Sequence, residues 1–297
     1  MNEQISFDAL LPPAMGAKSE DLGVKKANLR ADNMFVLGIL AGAFISIGAI
    51  FATTVSAGAI TIRDAAGATG FLTGLPYGFT RLLAGLVFST GLILVIVGGA
   101  ELFTGNTLIT MAFASKKVTL MQLLRNWGVV YFGNLVGAIL TAYVVFLSQQ
   151  YTFGGGSIGL AALNIGEAKT SLAFLQAVAL GIMCNALVCM AVWMCYSARS
   201  TTDKILAIIP PIACFVAAGF EHSIANMYFI PAGLFVKYFG NAEFFAAIGK
   251  TAADFPNLTW GNFFVANLIP VTIGNIIGGG VMVGLVYWFV YCRKTSN

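Results

Sequence analysis

Long uncharged runs alternate with short charged segments along this chain. Met34–Ile60, Asn126–Leu147, Thr170–Ala198 and Asn262–Cys292 contain no charged residue. Each is long enough for a helix that crosses a bilayer, which takes about 20 apolar residues. Two other stretches behave differently. Leu82–Ala100 is followed by Glu101 and then by uncharged Leu102–Ser115; Ile205–Phe220 is followed by Glu221 and His222, then by uncharged Ser223–Val236. Leu82 to Ser115 is 34 residues and Ile205 to Val236 is 32. As straight helices these would be about 50 Å long, against a hydrocarbon core of about 30 Å. Each is too long for one span and too short for two with a turn. The pattern predicts six spans, the second and fifth broken, with irregular backbone beside each acid. Such backbone is tolerated only where protein buries it or water reaches it.

A short motif recurs. Gly133-Asn134-Leu135-Val136-Gly137 in span 3 and Gly274-Asn275-Ile276-Ile277-Gly278 in span 6 both read G-N-apolar-apolar-G. Together with the paired breaks, this predicts two copies of one three-helix unit, with Asn134 and Asn275 packing equivalently. Three spans per copy place the copies in opposite orientations, the inverted plan of many transport proteins. Small-xxx-small spacings at Gly38/Gly42, Gly133/Gly137, Gly274/Gly278 and Gly280/Gly284 let helix backbones approach closely.

Composition agrees: 58% of residues are hydrophobic, 9% are charged, and mean hydropathy is +0.86, where a soluble domain carries about 25% charged residues. A polytopic membrane protein is expected. The net charge of +4 forms no basic block, which excludes a nucleic-acid binder. Eleven lysines and arginines fall on one side of the predicted spans and five on the other. The positive-inside rule then puts both termini in the cytoplasm. Residues 1–33 have nearly balanced charge, with Pro12 and Pro13, and lack the apolar core of a signal peptide. They are expected to form a cytoplasmic segment with an interfacial helix, ahead of a spanning domain at 34–292 and a tail at 293–297.

Enzyme signatures are weak. Gly155-Gly156-Ser157-Ile158-Gly159 matches G-x-S-x-G, but in a glycine-rich loop after a membrane helix rather than at a strand–helix elbow. One histidine cannot supply H-E-x-x-H, and Gly249-Lys250-Thr251 lacks the upstream glycine of a phosphate loop. The five cysteines, Cys184, Cys189, Cys195, Cys214 and Cys292, contain no CxxC and sit in apolar runs as small hydrophobes. No enzyme activity, cofactor or metal site is expected.

Ionisable groups inside a membrane are costly and therefore functional candidates. They are Glu101 and the Glu221–His222 pair; His222 is the only histidine in the chain. Beyond each break a half-helix begins, with Thr104 and Ser223 as expected caps. Two half-helix N-termini facing one cavity would favour an anion, and His222 can exchange a proton near neutral pH. The blander alternatives are that the acids hold loose backbone amides or pair with a lysine, and that His222 is structural. Phe88, Leu92, Phe103 and Phe215 flank the breaks as candidate apolar constrictions.

Three stretches, GFEHSIANMYFIPAG at 219–233, AVWMCYSARS at 191–200 and NLIPVTIGNIIGGG at 267–280, resemble the formate–nitrite transporter family, as does LLPPAMGAKSEDLGVKKA at 10–27. The resemblance runs from about residue 7 to 293. It implies a homopentamer of aquaporin-like, all-α protomers, each with its own pore, in the bacterial inner membrane. It implies passage of formate as a channel or as formate–proton symport, switched by pH, with leakage of other small monovalent anions such as nitrite. By motif position, His222 is the central pore histidine, Thr104 faces it and Asn185 is its polar partner. Phe88, Leu92, Phe103, Val188 and Phe215 are the constrictions. Lys169 draws anions into the outer vestibule, and Lys26, Glu101 and Glu221 form an inner polar network that ties the N-terminal segment to the pore. A cytosolic formate-producing enzyme at that segment is a further expected partner, beside protons and membrane lipid. Two departures stand out: Thr54–Arg81 is longer than the family usually has, and Glu101 stands where aspartate is also common. The alternatives are a transporter of the same family for nitrite, hydrosulfide or lactate, and a non-conducting membrane scaffold or sensor.

Overall fold

In the computed structural model the structure describes residues 9–57 and 76–293, with the backbone of 62–63 and 69–71. The longer segment between the first two spans therefore lies largely outside the described residues, as do 1–8 and the end of the expected tail. Among the described residues six helices are long and apolar enough to cross a membrane. In chain order the helices are α1 (Pro12–Ala27), α2 (Ala31–Ala57), α3 (Tyr77–Gly98), α4 (Phe103–Asn106), α5 (Ile109–Ala114), α6 (Leu120–Leu147) and α7 (Ser157–Thr170). They continue with α8 (Phe174–Ser197), α9 (Thr201–Ala218), α10 (Ser223–Phe239), the short α11 (Ala242–Ile248) and the last span, α12 (Trp260–Cys292). Ile62–Arg63 and Thr69–Phe71 pair as two short antiparallel strands.

Both predicted breaks are present. α3 ends at Gly99 (φ 80°, ψ 34°) and α9 at Gly219 (φ 80°, ψ 25°). This left-handed closure suits glycine, which has no Cβ to clash. After three further residues the chain turns helical again at Phe103 and at Ser223. The expected caps are corrected. His222 itself caps α10, its Nδ1 accepting from the Ala225 N–H at 3.0 Å; Ser223 is already inside the helix and its buried Oγ makes no hydrogen bond among the described residues. Thr104 likewise lies within α4.

The repeat is larger than three spans. α1 leads the first copy and α7 leads the second, a helix in the stretch read from sequence as loop. α7 begins after three glycines with positive φ, Gly154 to Gly156, so the G-x-S-x-G serine opens a helix. The two copies pack at the same points. A Cβ on Gly137 would lie 2.0 Å from the Ile39 carbonyl oxygen, and one on Gly278 would lie 2.1 Å from that of Ile182. α6 can therefore meet α2, and α12 can meet α8, only with bare backbone at these positions. α12 is π-helical over Phe263–Leu268, Ile276–Leu285 and Trp288–Cys292. α1 lies on the bundle with Met15, Gly16, Ser19, Glu20, Gly23 and Ala27 buried.

Candidate functional site

A chain that breaks a helix inside a bilayer must satisfy the freed backbone groups itself. In the first break, Asn134 accepts from the Phe103 N–H (3.0 Å) and donates to the carbonyls of Gly38 (2.8 Å) and Glu101 (2.9 Å). In the second, Asn275 accepts from the Ser223 N–H (2.9 Å) and donates to the carbonyls of Gly181 (2.8 Å) and Glu221 (3.0 Å). The acids are held in the same duplicate fashion. Lys26 Nζ lies 2.6 Å from Glu101 Oε1, and Lys169 Nζ lies 2.7 Å from Glu221 Oε1. Asn106 donates to Glu101 Oε2 (2.7 Å) and Asn126 (2.9 Å), while Asn226 donates to Glu221 Oε2 (2.6 Å) and Asn267 (2.8 Å). Asn126 and Asn267 close the loops on the carbonyls of Lys26 and Lys169, both at 2.9 Å.

Glu221 is thus corrected. It belongs to a second network with Lys169, not to the one joining Lys26 and Glu101. Lys169 also stands on the wall of the α7-side cavity described below, with its ammonium paired to that carboxylate. The shared signal was legible as G-x-E-x4-N, at Gly99-Ala100-Glu101 to Asn106 and at Gly219-Phe220-Glu221 to Asn226. Taken one at a time, Asn106, Asn126, Asn226 and Asn267 are single amides in apolar runs, and only the pairing marks them.

Within that frame the two breaks differ. Leu102 occupies in the first the place of His222 in the second, and Thr104 the place of Ile224. Thr104 Oγ1 and His222 Nε2 meet at 2.9 Å, both buried. Because Nδ1 accepts a backbone N–H, it carries no proton. The ring is therefore the neutral tautomer, with Nε2–H available as a donor. The Phe215 ring stacks on it, with centroids 5.9 Å apart. Asn185 makes no hydrogen bond to His222 among the described residues. It acts one step back, donating to the Thr104 carbonyl (3.2 Å), Thr107 Oγ1 (3.2 Å) and the Asn275 carbonyl (2.7 Å). Thr107 (2.7 Å) and Cys189 (3.4 Å) donate to the same Thr104 carbonyl; neither was foreseen.

Two cavities approach this pair from opposite sides. One, on the α7 side, encloses about 440 Å³ and is lined by Arg81, Phe88, Lys169, Phe215, Glu221 and His222 among others. The other, on the α1 side, encloses about 360 Å³ and includes Lys26, Leu92, Glu101, Leu102, Asn106 and Lys204 in its wall. Along α3 the walls change hands between Phe88 and Leu92, and across the breaks between His222 and Leu102. The Thr104–His222 contact sits in the partition. Phe103 and Val188 are buried there and line neither cavity among the described residues. The Phe103 ring faces Tyr131 and Trp127, with centroids 4.9 and 6.0 Å away. Leu102, unforeseen, supplies the apolar wall in its stead.

The family profile for formate/nitrite transporters matches residues 14–289. The chain is 47% identical over 291 residues to formate channel FocA of Escherichia coli K12, covering 98% of each chain. It is 35% identical over 275 residues to a probable formate transporter of Methanothermobacter thermautotrophicus, covering 88% of this chain and 89% of the other. Among solved structures, a pentameric formate channel with formate bound is 48% identical, with a TM-score of 0.80 over 89% of this chain and 98% of that one. An FNT family ion channel is 28% identical, with a TM-score of 0.73 over 93% and 98%.

Proposed function

The chain belongs to the formate/nitrite transporter family, a family of membrane transport proteins rather than enzymes, and from that premise we propose that it passes formate across the membrane through a pore within each protomer. The observation that carries this reading is the buried Thr104–His222 contact, flanked by a cavity on either side. A carboxylate-sized ion moved into an apolar medium faces an idealised cost of order 20 kcal/mol, with several kcal/mol left after relaxation. Cavities that reach the partition from both sides shorten the dry path. Donors there offset what remains, since a hydrogen bond to a charged group contributes about 1.5–3 kcal/mol; with the His222 Nε2–H on Thr104 Oγ1, the Thr104 hydroxyl hydrogen is free to meet the anion. A neutral His222 is thus sufficient for anion flow. Proton-coupled import requires the ring to take a second proton at Nδ1 and release the Ala225 N–H.

The remaining parts of the proposal follow the family premise. The α1 side is cytoplasmic, the membrane is the bacterial inner membrane, and the protomers form a homopentamer, the assembly of the 48% identical formate channel. Other small monovalent anions pass less readily. Phe88 and Phe215 on the α7 side and Leu92 and Leu102 on the α1 side form the constrictions. α1, whose Lys18, Leu22 and Lys26 line the second cavity, acts as the pH-dependent gate and as the docking segment for a cytosolic formate-producing enzyme. Flux in proteoliposomes across a pH series tests the reading, with nitrite, hydrosulfide and lactate alongside formate. Formate should move fastest. Preference for another of these anions would reassign the substrate, and no flux of any, with His222→Ala folding normally, would favour a scaffold. Deleting residues 1–26 should alter the pH dependence; unchanged flux at every pH would remove the gating role.

A further inference from the structure

We infer that Arg81 forms a carboxylate-binding site in the α7-side cavity, where the anion docks before it reaches the Thr104–His222 pair; this rests on the transport reading above and specifies how that cavity recognises its cargo. Among the described residues two lysine or arginine side chains line the cavity, Arg81 and Lys169. Lys169 is paired with Glu221 at 2.7 Å, so that couple contributes no net charge. Arg81 has no acidic partner among the described residues. Instead it is fixed by main chain: Nε donates to the Ala217 carbonyl at 3.3 Å and Nη2 to that of Val216. Both carbonyls lie in the last turn of α9, which ends at Ala218. Their partial negative charge, about half an elementary charge for a whole helix terminus, leaves the guanidinium with a net positive field.

The manner of fixing matters. Nε and Nη2 share one edge of the planar guanidinium, and the carbonyls occupy that edge. The remaining edge, Nη1 with the second Nη2 hydrogen, is the two-pronged fork that matches the two oxygens of a carboxylate. Two bonds to a rigid helix end also pre-set the ring plane, so little side-chain freedom is lost on binding. The guanidinium is close to the site: Nη2 lies 3.4 Å from the position a Cβ on Gly219 would take. Gly219 is two residues before Glu221 and three before His222. The absent side chain leaves the path from Arg81 to the break open. Among the described residues the other ionisable groups on the cavity wall are Glu221, already paired, neutral His222 and the phenol of Tyr77. The site therefore selects a small planar carboxylate over a spherical halide of equal charge.

The test uses the full-length protein in liposomes, with two independent readouts. The first is modification of Arg81 by phenylglyoxal, read by peptide mass spectrometry. Formate should slow the reaction about threefold or more, chloride at matched ionic strength should not, and Arg125 on the opposite side is the internal control. The second is transport. Arg81→Gln should raise the half-saturating formate concentration from the α7 side about tenfold with the maximal rate nearly unchanged, and Arg81→Lys should fall between. Equal reactivity with and without formate, or half-saturation unchanged in Arg81→Gln, would reduce Arg81 to a cap on α9. The readouts separate the two readings: formate protection in a protein that carries no formate would keep the binding site and sink the transport proposal.

Discussion

His222 uses its two nitrogens for different tasks, Nδ1 to start α10 and Nε2 to meet Thr104. Asparagine can cap a helix as well, whereas phenylalanine cannot. His222→Phe should therefore lose proton-coupled formate import to below about a tenth of the parent, because the ring nitrogen that would take the second proton is gone and the chain holds no other imidazole. His222→Asn should keep part of the downhill export and lose uphill import in acid, while running as the same oligomer in detergent. Accumulation of formate against its gradient by His222→Asn would end the proton-relay role. A second residue-scale expectation concerns Asn275. Replacing it with leucine strands two buried main-chain groups of the break, the Ser223 N–H and the Glu221 carbonyl, each costing about 1–3 kcal/mol when unpaired. The loss should be about 2 kcal/mol or more, visible as oligomer dissociation at lower temperature, with Asn134→Leu matching it. At this scale the sequence marks His222 well, as a lone imidazole in an uncharged run. It does not say which lysine reaches which glutamate. Lys26 and Lys169 lie far along the chain from their partners, so the expectation that Glu221 shares a network with Lys26 fails.

Breaks in helices 2 and 5 were legible because length is physical: 34 and 32 residues do not fit one crossing of the hydrocarbon. α7 was not legible. Its 14 residues are too few to span, and the preceding glycines mark the whole stretch as loop. The docking of α1 also escaped a reading by hydrophobic pattern, because polar contacts carry much of it. Glu20 accepts from the Ser115 hydroxyl and pairs with Lys117 at 2.7 Å, and Lys18 donates to the Tyr196 carbonyl at 2.8 Å. The hydrogen bond to Glu20 raises the Lys117 ammonium above its ordinary 10.5. A base whose folded value is raised adds its stabilisation fully below the unfolded value and loses it as pH climbs through the folded one. Lys18 is shifted the other way, by burial first and then by Arg199 and Lys204, so it discharges earlier and relieves repulsion. Protease resistance of α1 should thus stay level from about pH 6 to 9 and fall only above the ordinary lysine value, about 10.4. Glu20→Gln should weaken it throughout; resistance falling near neutrality in the parent would point to another anchor.

The molecule as a whole is one helical unit written twice in opposite senses, and the G-N-x-x-G and G-x-E-x4-N pairs carry that plan in the sequence. Its placement in the membrane is a matter of charge. A reporter active only in the cytoplasm, fused after Asn297, should give signal; activity from a periplasm-only reporter there would invert the assignment and exchange the two mouths. The duplicated asparagine and lysine–glutamate frame has a further consequence for traffic. Seen from either face, the frame presents the same fixed parts, so the frame alone cannot tell arrival from departure. Any one-way character must be spelled in the letters that differ, chiefly Leu102 against His222 and Thr104 against Ile224. Exchanging those letters between the breaks would mirror the current–voltage curve rather than flatten it.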